Sequence, residues 1–153
     1  MRRSHVCFLI WAGLLWGISA KAENTRICPD SFQDLAASLS QDLPDYLNRT
    51  YTRLGIQEKA TFASFPDINP LPLAAGNSDK NLPVPHQLFI SILTGRIGQP
   101  KTQAQPYWLF IAKTKNGWRF AMAFTKIGAS PPTNISDGAI ANATSTWLRD
   151  RCS

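Results

Sequence analysis

The chain has 153 residues, 44% of them of apolar type, and a formal charge of +6 at neutral pH. That length suits one domain rather than several. The basic residues are scattered, without the run or stripe that nucleic-acid recognition requires, so no nucleic-acid partner is expected.

Arg2 and Arg3 precede an apolar run from Val6 to Ile18, and Ala20-Lys21-Ala22 follows. A positive start, a short apolar centre and an Ala-x-Ala end are the parts of a secretory signal peptide, here residues 1–22 with the cut after Ala22. The alternative is a membrane anchor, but the run falls short of the roughly 20 apolar residues that a spanning helix needs. No later stretch is long enough to span, so no transmembrane segment is expected in residues 23–153. Arg2, Arg3 and Lys21 leave with the signal, and the mature charge falls to about +3.

Cys7 lies in the signal, which leaves Cys28 and Cys152 near the two ends of the mature chain. In an oxidising compartment such a pair reads as an intrachain disulfide. Closing so long a loop stabilises by about 4–5 kcal/mol in the chain-entropy account. Two free thiols, or pairing between chains, are the other readings.

Asp30 reads as an N-cap with Gln33 three residues on. Phe32, Leu35, Leu39 and Leu43 then recur at helical spacing. Pro44 predicts a break, and Tyr46, Leu47, Tyr51 and Leu54 continue the stripe to Gly55, so two helical pieces are expected, 31–42 and 44–54. Thr61–Phe65 reads as a short strand. Residues 66–85, with Pro66, Pro70, Pro72, Pro83 and Pro85, read as a long irregular connection that packs along the domain. His86–Ile97 reads as a strand and 98–105 as a polar loop. Tyr107–Lys115 and Trp118–Ile127, separated by Asn116-Gly117, read as a two-residue hairpin. Residues 130–134 read as a loop, and Ser136 or Asp137 as the cap of a last helix with Ile140, Ala143, Trp147 and Leu148 on one face. The order describes an α+β domain: N-terminal helices, about four antiparallel strands and a C-terminal helix.

A turn centred on Asn116-Gly117 sets Lys115 against Trp118, Lys113 against Phe120, Ile111 against Met122 and Leu109 against Phe124. These are expected to face the helices. The other side then carries Trp108, Phe110 and Ala112 beside Arg119, Ala121, Ala123 and Thr125, a shallow apolar hollow. Left uncovered, it marks a binding surface with Trp108, Phe110 and Arg119 as contacts; the alternative is that residues 66–85 or a helix cover it.

His86 is the sole histidine after the signal, which leaves a Ser-His-Asp arrangement depending on one residue. Cys28, Cys152 and His86 cannot supply a four-ligand zinc site. No glycine-rich phosphate loop occurs, and no metal or cofactor is expected. Asn48, Asn134 and Asn142 each begin an Asn-x-Ser/Thr triplet, which matters only where exported proteins are glycosylated.

Cys28-Pro29, Asp42-Leu43-Pro44-Asp45-Tyr46-Leu47-Asn48-Arg49, Pro70-Leu71-Pro72-Leu73, Trp108-Leu109-Phe110, Gly117-Trp118-Arg119, Ser136-Asp137-Gly138-Ala139 and Trp147-Leu148-Arg149-Asp150 occur in this order along nearly the whole mature chain. In these segments the chain resembles a family of uncharacterised exported cyanobacterial proteins. The resemblance implies export to the periplasm, the thylakoid lumen or the extracellular space, and it carries over no catalytic residue. The expectation is a non-catalytic extracytoplasmic binding or accessory domain with a protein partner. A small extracytoplasmic hydrolase using His86 with Asp67 or Asp79 is the alternative, and a homodimer joined across the second face of the hairpin is a third reading.

Overall fold

The computed structural model of the protein describes residues 28–70 and 84–152, so the signal segment and most of the proline-rich connection lie outside the described residues. The elements are α1 (Phe32–Leu54), β1 (Glu58–Ala63), β2 (His86–Arg96), β3 (Thr102–Thr114), β4 (Gly117–Thr125), β5 (Thr133–Asn134) and α2 (Ala139–Cys152). The strands form one antiparallel sheet in the order β1-β2-β3-β4-β5. The α+β class holds, with five strands among the described residues where about four were expected. The fifth is the two-residue β5, in a stretch read as loop. β1 starts three residues before the expected strand, and β3 begins inside the expected polar loop.

One continuous helix replaces the two expected pieces. Its cap is Ser31 rather than Asp30: the Ser31 Oγ accepts from the Asp34 amide at 3.1 Å. Pro44 lies inside the helix. It forfeits one backbone donor, but Leu35, Leu39, Leu43 and Leu47 are all fully buried, and keeping that stripe in register outweighs the missing bond. Gly55 ends the helix in the left-handed conformation, its amide on the Thr52 carbonyl.

Pro106 sits within the central strand β3, a position that usually excludes proline. Its partner on β2 is Ser91, whose amide and carbonyl are spent on Ser64 toward β1. The edge of Pro106 that lacks a donor therefore faces β4, which ends one residue earlier, at Thr125 opposite Tyr107. The Thr125 hydroxyl donates to the Pro106 carbonyl at 2.7 Å and closes this corner.

The hairpin register departs from the expected one. Thr114 opposes Gly117 and Lys113 opposes Trp118, so the two residues between the strands are Lys115 and Asn116. Neither has a positive φ, which rules out the mirror-image turn that Asn-Gly favours; Gly117 alone takes one, at 92°. Farther along, the register shifts between Phe110 and Ile111: Ile111 opposes Phe120 while Phe110 opposes Met122, and Ala121 is the extra residue of a bulge. Ala123 and Thr125 consequently turn to the helix side, where both are buried. Met122 and Phe124 turn to the other.

The core lies between the sheet and the two helices. Leu88, Ile90, Ile92, Leu109 and Ile111 meet the leucines of α1 and Ile140, Ala143, Trp147 and Leu148 of α2. The two helices are tied by polar bonds as well: Trp147 Nε1 and Arg151 donate to Asp42 at 2.8 and 2.6 Å, and the Tyr46 hydroxyl donates to Asp150 at 3.2 Å. Ser136 does not cap α2. Its hydroxyl accepts from the amide of Ala123 at 3.0 Å, and α2 opens from Gly138, whose carbonyl accepts the amide of Asn142.

Candidate functional site

Both helices pack on one side of the sheet, and the other side carries the aromatic residues in rows across the strands. Phe89, Trp108 and Phe124 are cross-strand neighbours on β2, β3 and β4; Asp67 lies beyond Phe89 and Asn134 beyond Phe124. The next row is Gln87, Phe110 and Met122, and the last is Ala112 with Arg119. The Phe89 and Trp108 rings lie 4.8 Å apart and tilted, and those of Phe110 and Phe124 meet edge to face at 5.9 Å. The four rings are half-buried and Met122 is exposed.

Trp108, Phe110 and Arg119 thus share a face, as expected, but its character differs from the expected one. The bulge removes Ala123 from this side and supplies Phe124 and Met122, so a ridge of rings and a thioether stands where a shallow hollow of rings beside alanines, edged by Thr114, Arg119 and Thr125, was expected. Gln87 and Arg119 each already have an interaction partner. Phe89 was legible as one side of an alternating strand. Phe124 and Met122 were not, because a single-residue bulge leaves no mark in the hydrophobic pattern. Residues 71–83, part of the proline-rich segment expected as the alternative cover of this face, lie outside the described residues.

His86 sits at the rim of the helix side, opposite Ile111. Its ring stacks on Phe32 at 4.6 Å and meets Trp118 edge-on at 5.5 Å. Among the described residues no hydrogen bond joins it to a carboxylate or hydroxyl. Asp67 pairs through its backbone with Phe89, three residues or about 10 Å along the strand from His86. Asp79 lies outside the described residues. Among those described, no group of three or more His, Cys, Asp or Glu side chains is placed to hold a metal ion, and no helix is long and apolar enough to cross a membrane.

The Cys28 and Cys152 sulfurs lie at disulfide distance, 2.12 Å, with Cα atoms 4.7 Å apart. The lead-in is held beside them: Trp118 Nε1 donates to the Pro29 carbonyl at 2.8 Å and Lys113 Nζ to the Asp30 carbonyl at 2.7 Å. At the other end of the core, Tyr51 of α1 and Tyr107 of β3 are buried and hydrogen-bonded to each other. Burial pushes Tyr51 up to about 12, with the Glu58 charge adding to the effect, and pushes Tyr107 up as well. Such tyrosines are held neutral and are not poised as bases.

Asn48 is committed to structure. Its side-chain amide accepts from the Ala60 amide at 2.7 Å and donates to the Ala60 carbonyl at 2.8 Å, blocking part of the free edge of β1. Asn134 and Asn142 are exposed. Compared with protein-family models, with curated proteins and with solved structures, the chain matches none.

Proposed function

We propose that the protein is an exported, non-catalytic binding or accessory domain that docks a protein partner on the side of its sheet away from the helices. The observation that carries this is the contiguous row of Phe89, Trp108 and Phe124, backed by Phe110 and Met122, on the side away from both helices. Rings bring large apolar area at little conformational cost, and aromatic anchors carry a disproportionate share of interface energy. The signal-like residues 1–22 support export, and the cysteine pair at bonding distance suits an oxidising compartment such as the periplasm, the thylakoid lumen or the extracellular space. Membership among the exported cyanobacterial proteins that the chain resembles belongs to the same proposal.

The test compares wild type with Trp108→Ala and Phe124→Ala as bait in an extract of the exported compartment. Each variant should keep its circular dichroism and lose at least tenfold of partner retention, as removal of a central aromatic anchor does. Retention unchanged in both folded variants overturns the proposal. Light scattering separates the homodimer reading: a wild-type mass of two chains that falls to one in Trp108→Ala makes the partner a second copy.

A further inference from the structure

We propose that the groove between the outer faces of α1 and α2 binds a compact oxyanion of two or more negative charges, held by Arg49 and Arg53. The groove has a volume of about 440 Å³ and is lined by Tyr46, Arg49, Thr52, Arg53 and Thr146. It lies on the far side of the helix layer from the aromatic face, so it stands or falls independently of the docking proposal.

Arg49 and Arg53 are four residues apart and share one face of α1. Like charges at this spacing repel, and an anion between them turns that repulsion into attraction. Among the described residues no carboxylate stands within salt-bridge distance of either guanidinium. The nearby acids are engaged elsewhere. Asp42 takes Trp147 and Arg151, and Asp150 takes the Tyr46 hydroxyl and lies 3.8 Å from Arg149. Asp45 precedes Arg49 by one turn, yet the Arg49 guanidinium lies over the Tyr46 ring, 4.3 Å from its centre.

That stacking uses the flat face of the guanidinium and leaves its N–H edge for an acceptor in the plane. Arg53 is held by donating to the Thr50 hydroxyl at 3.2 Å, which itself donates to the Tyr46 carbonyl at 3.0 Å. Both cations are oriented before any ligand arrives, which lowers the cost of binding. Thr146 lines the same groove and adds a hydroxyl, whereas the Thr52 hydroxyl already donates to the Asn48 carbonyl at 3.0 Å. A cation in the last turn of a helix also favours the helix dipole, which accounts for Arg53 but not for Arg49 or for the groove. Phosphate groups fit this donor set, whether from a soluble anion or from a lipid headgroup.

The experiment follows the arginine Nε–H resonances of the mature chain during titration with sodium pyrophosphate at constant ionic strength. Arg49 and Arg53 should shift together and saturate while Arg96 and Arg119 stay in place. Arg49→Gln with Arg53→Gln should weaken binding at least tenfold with unchanged circular dichroism. Each single variant carries the same comparison where the pair disturbs folding. Sedimentation with phosphatidic acid vesicles, whose headgroup is a phosphomonoester, that disappears in the same variants assigns a headgroup as the source; saturable pyrophosphate binding without sedimentation assigns a soluble anion. Equal, unsaturable shifts at all arginines overturn the proposal.

Discussion

A methyl group on Gly117 would stand 2.8 Å from the Cys152 carbonyl oxygen, at a backbone φ of 92° that side chains resist. Both penalties act at one atom, and neither is relieved by a rotamer change, because the obstruction is the backbone at the end of α2. Gly117→Ala should therefore destabilise by about 2–4 kcal/mol, from the left-handed strain together with the overpacking. Urea denaturation measures this, and a loss under 1 kcal/mol would show that the turn relaxes freely. The sequence marked Gly117 as a glycine position, but in an Asn116-Gly117 turn, whereas the structure opens β4 with it, opposite Thr114. What was not legible was the long-range reason: the helix end that crosses it lies 35 positions away in a segment whose placement depends on the whole fold. Asn48 makes the same point. Its triplet resembles a glycosylation signal, whereas its amide completes the edge of β1 at Ala60.

At the level of elements, periodicity located both helices and the three long strands, since burial on one side imposes repeats of 3.6 and 2. It misjudged Pro44 because a local rule yielded to a buried leucine stripe, and it misjudged the face of Phe124 because of the bulge at Ala121. The contact of α1 with the sheet supports a prediction on pH. Tyr51 and Tyr107 join these elements, and both hold their protons more tightly when folded than the ordinary tyrosine value near 10. Below pH 10 folded and unfolded chains are equally protonated there, so the pair contributes no pH dependence. Between pH 10 and about 12 the unfolded chain ionises while folded Tyr51 does not, and stability falls. The slope approaches about 1.4 kcal/mol per pH unit for each such group. Tyr51→Phe should lower stability at pH 8 by about 1 kcal/mol through the lost hydrogen bond, and flatten the decline above pH 10. An equally steep decline in the variant would remove the tyrosines as its cause.

At the scale of the whole molecule, Cys28 and Cys152 join the lead-in before α1 to the last turn of α2, across a separation of 124 residues. A cross-link of this reach restricts nearly the entire unfolded chain while asking little of the folded one. The lead-in is already held against the sheet by Trp118 and Lys113, and the sulfurs meet with Cα atoms 4.7 Å apart. The stabilisation therefore acts chiefly on the unfolded state and approaches about 4–5 kcal/mol in the chain-entropy account. For a domain of ordinary stability, about 5–15 kcal/mol, that is a large fraction of the total. Cys28→Ser with Cys152→Ser should still fold, because the core of leucines and Trp147 is untouched, but its urea midpoint should drop well below that of the oxidised wild type. Wild type treated with dithiothreitol should move to the same lower midpoint, and the serine variant should not respond. Under the proposed export, this pattern ties the stability to an oxidising destination, where the cross-link would form. Identical midpoints for oxidised wild type, reduced wild type and the serine variant would remove the bridge from the stability of the fold and, with it, the strongest structural argument for export.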